Sequence, residues 1–346
     1  MKTRRERTAS RAWLALALAA ANLSAQPPTP EPIPPLGKLV DAGGPQLHVR
    51  CTGSGSPAVI LESGAGDFSF VWALVEPGVA KFTRVCSYDR AGYAWSDAGP
   101  KPRTLAQLVY ELHAVLASAG VQPPYVLVGA SLGGLIARTF AATYPSEVSG
   151  MVLVDGAHES AIMMLNNKAV RFRELSQERT LPPVQRQWDK PGGNAPEPLL
   201  FLPSAKPLDA DDPRSRLPEQ LRRIWSAAQA QKKHAEARES EFTFLGEELD
   251  ALYQRTQANP QPLGNKPLIV LARDAANYPQ APEGMTIEQL NNDRKRLQKE
   301  LGGLSGNGRV VFVKDSRHEI HLDKPEVVTL AIRDVVEAAR TGARLK

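Results

Sequence analysis

The stretch VLVGASLGG, Val126–Gly134, places a serine where local propensity asks for none. Alternating apolar residues read as the end of a buried strand, and the LIARTFAATYP that follows Gly134 reads as a helix. Ser131 sits at the junction, with Gly129 two residues before it and Gly133 two after. So tight a strand-to-helix turn strains the backbone at its apex and points that side chain out of the sheet. The flanking positions must then be small to avoid collision. The helix N-terminus also sets backbone N–H groups and a positive dipole end beside the serine oxygen.

Outward from this turn the chain alternates strands and helices. QLHVRCTG, PAVILESG and FTRVCSYD read as strands before it, followed by a helix TLAQLVYELHAVLASAG that Gly120 stops. After the turn come GMVLVDG, then KPLIVLARD, a helix around TIEQLNNDRKRLQKEL, the strand GRVVFVKDS and a last helix PEVVTLAIRDVVEAAR. Strands rich in Val, Leu and Ile with helices between them imply a mostly parallel sheet covered on both faces. Residues from about 156 to 266 break the rhythm. They are polar, proline-rich in their middle and helical around PEQLRRIWSAAQAQKKHAEARE, as expected of an insertion between two sheet strands.

A serine hydroxyl attacks poorly unless a base takes its proton. VVFVKDSRHEIHLDKPEVV offers His318 and His321 just after the last strand. His318 comes sooner after the strand end and is the preferred base, whereas His321 lies nearer the final helix, in a place for packing or capping. Two cysteines and six histidines show neither C-x-x-C nor H-E-x-x-H spacing, so no metal is expected, and GAGD lacks the full dinucleotide fingerprint, so no nucleotide cofactor is expected. The net charge of +5 suggests nucleic acid until it is located: the first 25 residues carry +4 of it. The remainder has no basic run dense enough for phosphate binding, so no nucleic-acid partner is expected.

That N-terminus has its own reading. MKTRRER is a charged start, AWLALALAAA an apolar run too short to cross a bilayer comfortably, and NLSAQ a small-residue end. Residues 1–25 read as a secretory signal peptide, giving a secreted or periplasmic protein with no stable membrane insertion after cleavage. Residues 26–37, proline-rich, read as an extended tether.

RVCSYDRAGYAWSD, YVLVGASLGGLIARTFAATYP, MVLVDGAHE and HEIHLDKPE together make the chain resemble exported serine hydrolases of the α/β-hydrolase superfamily. In that family G-x-S-x-G is the nucleophile elbow and the triad follows the order Ser, Asp, His. The resemblance covers about residues 38–157 and 266–340. It implies an eight-stranded, mostly parallel sheet flanked by helices, with a core of 38–157 and 266–346 and a helical cap or lid at 158–265. It also implies Ser131 as nucleophile, His318 as base, and the N–H groups of Leu132 and Ala65 as oxyanion donors, Ala65 lying in ESGAGDFSFVW. The acid is open between two positions. Asp155, ending a strand in VLVDGAHE, is favoured narrowly over Asp274 in PLIVLARDAANYP, near the commoner location at Ala276 and Asn277. Asp89 and Asp97 match the fold's structural pattern. Three departures stand out: Ser63-Gly64 replaces the usual His-Gly, Ala130 stands where many relatives have histidine, and Arg317 replaces a glycine before the catalytic histidine.

The expected activity is therefore cleavage of a carboxylic ester of a small or medium apolar small-molecule substrate. The alternatives are an aminopeptidase of the proline-iminopeptidase type, needing an acidic lid site for the substrate amine, and a catalytically silent binding protein of the same fold. Trp188, Trp225, Phe242 and Phe244 are candidates for the pocket or for the core of the insertion. In the fold's strand order Cys51 and Cys86 end neighbouring strands, so a disulfide is feasible, and export permits it.

Overall fold

The computed structural model describes residues 31–165, 168–187, 199–201, 208–275 and 281–346. The expected signal peptide, the first part of the proline-rich stretch, Trp188, Ala276 and Asn277 lie outside them. Eight strands form one sheet: β1 (Lys38–Asp41), β2 (Gln46–Thr52), β3 (Ala58–Glu62), β4 (Val85–Tyr88), β5 (Tyr125–Ala130), β6 (Val148–Val154), β7 (Leu268–Arg273) and β8 (Gly308–Val313). Their spatial order is β8-β7-β6-β5-β3-β4-β2-β1. Only β2 runs against its neighbours β1 and β4; the other pairings are parallel.

Every residue of β3 and β5 is buried, as expected of central strands covered on both faces. The alternation of side chains along β5 divides the core. Val126, Val128 and Ala130 pack with the last helix, while Tyr125 and Leu127 pack against two helices on the other face. Those two are α1 (Leu105–Ser118) and α2 (Leu132–Thr143). Because β5 to β8 are parallel, their C-terminal ends share one edge, and the loops after β5, β6 and β8 meet there. The chain also reverses direction across the sheet between β3 and β5, the place where open α/β sheets leave a crevice.

The insertion contributes α3 (Glu219–Gln229), α4 (Lys232–Glu241) and α5 (Leu245–Ala258). The helical stretch expected around residues 218–239 forms two helices, separated where Gln231 turns extended with ψ 135°. The break lets Ile224, Ala227 and Ala228 of α3 and Ala237 of α4 reach one cluster with Phe68, Phe70, Tyr93 and Trp95. The described end of the proline-rich stretch is also docked there. Pro32–Ile33 pairs with Leu199–Leu200, and Trp95 donates from Nε1 to Ile33 O at 2.9 Å. A two-residue pairing at an edge tolerates proline, and burying Ile33 supplies the reason to dock. The remaining long helices are α6 (Ile287–Gly302), opened by a Thr286–Gln289 capping box, and α7 (Pro325–Thr341).

Cys51 and Cys86 face each other across β2 and β4 and are joined by a disulfide. By chain entropy alone, closing a loop with a sequence separation of 35 stabilises by about 4 kcal/mol.

One buried acid ties the insertion to the core. Glu248 of α5 accepts from Leu105 N at 2.5 Å, at the N-terminus of α1. Burial pushes its carboxyl up to about 8, against the lowering effect of the Leu105 and Ala106 N–H groups. Between about pH 5 and 8 the folded protein thus holds a proton that the unfolded chain has released, so this group makes stability fall as pH rises. Glu248→Gln is expected to remove that slope: melting curves from pH 5 to 8 should show a flatter decline than in the unsubstituted protein.

Candidate active site

Ser131 occupies a backbone conformation rare for any residue with a side chain, φ 52° and ψ −119°. The turn is held by three backbone bonds: Ser131 N to Val154 O, and Ala157 N and Gly134 N to Ser131 O. The flanking glycines are required by contact. A Cβ on Gly129 would lie 2.3 Å from Gly133 O, and one on Gly133 would lie 2.4 Å from Glu62 O. So the turn wedges between β3 and α2 with no room for a methyl group, and Ser131 is pushed out at the sheet edge.

β6 ends one strand away. Asp155 follows it at φ 42°, its N–H donating to Leu271 O at 2.7 Å. Its carboxylate meets His318, whose Nδ1 lies 2.7 Å from Oδ2. Asp155 also accepts from Arg273 N at 3.2 Å, and it is flanked by the Arg273 guanidinium at 3.1 Å and that of Arg294 at 3.5 Å. Burial by itself would raise the Asp155 carboxyl. The His318 hydrogen bond and charge, with the two arginines, outweigh burial and hold it below the usual range. Asp274, by contrast, is a half-exposed partner of Lys295 at 2.7 Å. The structure thus brings His318 to Asp155 and not to Asp274.

With Nδ1 engaged by Asp155, the free side of the imidazole is Nε2. His318 and Ser131 line the same cavity, of about 80 Å³, together with Gly64, Ala65, Ala130 and the charged Asp67, Arg214 and Glu319. Gly64 approaches closely enough that a Cβ on it would stand 3.4 Å from Ser131 Cβ. Leu132 is the first residue of α2, where N–H groups have no acceptor inside the helix. Ala65 thus lines the cavity with Ser131, and Leu132 follows the serine at the helix start.

The departures from the family pattern have local explanations. Ser63 braces its loop, donating to Phe68 O at 3.0 Å and accepting from Trp72 Nε1 at 3.1 Å. Arg317 binds Asp323 through its backbone N–H at 2.8 Å and its side chain at 2.6 and 3.0 Å, anchoring the turn that carries His318. His321 is buried with its ring tilted against Trp72, centroids 4.5 Å apart; burial pulls its imidazole down to about 4, so it is neutral. Asp89 binds His48 at 2.8 Å and Ser69 N at 2.7 Å, and Asp97 accepts from Gln46 N, so both hold loops. Trp225 reaches Asp67 through Nε1 at 3.3 Å, Phe242 is exposed, and Phe244 packs under Arg179.

Sequence reasoning missed Arg273, Arg294, Asp67 and Arg214. Arg273, closing an otherwise apolar strand, was a readable signal; Arg294 sits among many charges in α6 and gave none. Among the described residues no cluster of His, Cys, Asp and Glu is placed to hold a metal ion, and no helix is long and apolar enough to cross a membrane.

Residues 57–325 match the family model described as alpha/beta hydrolase fold. The chain belongs to that family. An AB hydrolase superfamily protein of Gibberella zeae is 26% identical over 325 residues, 87% of this chain and 94% of its own. A thermophilic esterase of Thermogutta terrifontis superimposes with a TM-score of 0.57 at 20% identity, over 86% of this chain and 95% of its own. The meta-cleavage product hydrolase of Pseudomonas fluorescens IP01 gives 0.58 at 18%, over 86% and 97%. At these identities the two structures establish the fold.

The contact of Gly133 with the β3 carbonyl has a measurable consequence. Gly133→Ala should destabilise the protein by about 3 kcal/mol, the upper range of overpacking, because the obstacle is backbone. A urea unfolding midpoint lowered at unchanged slope is the expected reading.

Proposed function

We propose that this alpha/beta hydrolase is a serine hydrolase that cleaves a carboxylic ester through an acyl-enzyme. The observation that carries the reading is the 2.7 Å contact of His318 Nδ1 with Asp155, with His318 and Ser131 lining one cavity. Ser131 Oγ attacks the ester carbonyl while His318 Nε2 takes its proton; Asp155 keeps the imidazole in the right tautomer and stabilises its charged form. The carbonyl oxygen becomes an oxyanion facing the N–H groups of Ala65 and Leu132. Collapse expels the alcohol, which receives the proton from His318. A water then enters, loses its proton to His318 and displaces the acyl group, restoring Ser131.

The small cavity with Gly64, Ala65 and Ala130 in its wall supports a short acyl group. An aminopeptidase would need a carboxylate there for the substrate amine; Asp67 is already held by Arg214 at 2.9 and 3.0 Å, and Glu319 lies 3.9 Å from the same guanidinium. Burial would raise the Asp67 carboxyl, but Arg214 outweighs burial and keeps it ionised and matched. The Cys51–Cys86 bridge supports residence outside a reducing compartment, in keeping with the signal-like N-terminus. The 158–265 insertion is the lid in this reading.

The test is a rate panel of p-nitrophenyl esters against amino-acid p-nitroanilides, with four variants. Short-chain esters should be preferred, and Ser131→Ala and His318→Ala should abolish their turnover. Asp155→Asn should lower kcat by about 10⁴-fold with folding intact, as the corresponding change does in a triad protease. Asp274→Asn should stay within a few-fold, since a half-exposed carboxylate paired with one lysine contributes little. Anilide preference, an active Ser131→Ala, or a dead Asp274→Asn beside an active Asp155→Asn would refute the assignment.

A further inference from the structure

The loop after β3, which carries the Ala65 donor, is gripped along its whole length. Arg90, buried just beyond β4, donates from Nη1 to Glu62 Oε1 at 2.8 Å and to Ser63 O at 2.9 Å, and from Nη2 to Gly64 O at 2.9 Å. Its Nε donates to Glu241 Oε1 at 2.8 Å, and the Tyr93 hydroxyl donates to Glu241 Oε2 at 2.8 Å. Glu241 is the last residue of α4 and is itself buried. Further along the loop, Gln229 of α3 donates to Gly66 O at 2.7 Å, and Arg214 and Trp225 hold the Asp67 carboxylate. Glu241, Gln229, Arg214 and Trp225 all belong to the insertion.

A peptide unit is planar, so the direction of a carbonyl fixes the direction of the next N–H. Gly64 C=O and Ala65 N–H share one such plane. The bond from Arg90 Nη2 to Gly64 O therefore aims the Ala65 N–H, and the guanidinium that makes it is oriented by two carboxylates, one from β3 and one from the insertion. A lysine cannot replace it, because a single ammonium lacks the planar fork that spans Glu241 and two carbonyls at once.

We infer that Arg90 and Glu241 are positioning residues for the oxyanion donor, so that the insertion governs turnover and not merely access to Ser131. The inference rests on the ester-hydrolase reading above. Transition-state donors act only if aimed at the developing charge, and an ångström of misplacement costs on the order of 10²-fold. Loss of aim lowers kcat while leaving ground-state binding, and hence KM, largely in place.

The test measures kcat and KM on p-nitrophenyl acetate, and affinity for a trifluoromethyl ketone that forms a tetrahedral adduct, in Arg90→Lys, Glu241→Ala, Glu241→Gln and Gln229→Ala. Arg90→Lys and Glu241→Ala should lose at least tenfold in kcat with KM within about twofold, and ketone affinity should fall in parallel. Glu241→Gln, which keeps an acceptor for Arg90 Nε, should recover part of the loss. Folded variants whose kcat stays within twofold, or that change KM alone, overturn the inference while Ser131-dependent hydrolysis by the parent leaves the ester-hydrolase reading standing. A parent without Ser131-dependent hydrolysis overturns both. If the first two variants do not fold, Gln229→Ala decides: it removes only the hold on Gly66, so a several-fold loss in kcat supports the inference and an unchanged kcat overturns it.

Discussion

The positive φ at Ser131 is the constraint on which the site depends. A side chain at φ 52° and ψ −119° is costly, on the order of 1–3 kcal/mol, and persists only where its surroundings leave no alternative. Here the surroundings are backbone. Gly129 touches the first turn of α2, Gly133 touches the end of β3, and Ser131 O takes bonds from both Gly134 and Ala157. The same close approach that strains the serine brings the loop after β3 against it, and sets the start of α2 where its unbonded N–H groups face outward. One packing contact thus fixes the position of the serine, of the loop after β3 and of the start of α2.

The charges are arranged around that point in matched sets. Asp155 meets His318 and the Arg273 guanidinium at Oδ2 and Arg294 at Oδ1, so its ionised form is secured without His318 being its only partner. Asp67 and Arg214 form a paired bridge between the loop after β3 and the insertion, and Arg90 is a second, deeper bridge between the same elements. Removing one member of such a buried pair leaves an uncompensated charge, which costs far more than the pair contributes. The insertion is therefore joined to the core by electrostatic bonds at the reacting end of the sheet, in addition to Leu245, Leu249 and Leu252 of α5 being buried in the cluster that α1 and α2 share.

The sheet was legible in the sequence because its central strands are continuous apolar runs, and the elbow because only glycine tolerates those two contacts. The Cys51–Cys86 bridge followed once the strand order was assumed. The choice between Asp155 and Asp274 was not legible, since it depends on which of two strand ends the loop after β8 reaches. The break between α3 and α4 was hidden because both halves are good helix formers; the shared cluster around Phe68 and Trp95, not propensity, divides them. Arg90 stood in plain view in YDRAGYAWSD, yet its role lies in carbonyl contacts, which have no side-chain signature. The docking of Ile33 was lost for a similar reason: proline content masked a single apolar residue with a place to go.

The central claim is that Ser131 is an activated nucleophile held by the elbow and served by His318. A fluorophosphonate tests it most directly, since phosphonylation needs a serine oxygen freed of its proton and loses fluoride in the process. Intact-mass measurement followed by peptide mapping should find one adduct per chain, on the peptide containing Ser131, and none in Ser131→Ala or His318→Ala. A folded protein that takes no label, or takes it at another residue, would contradict the account.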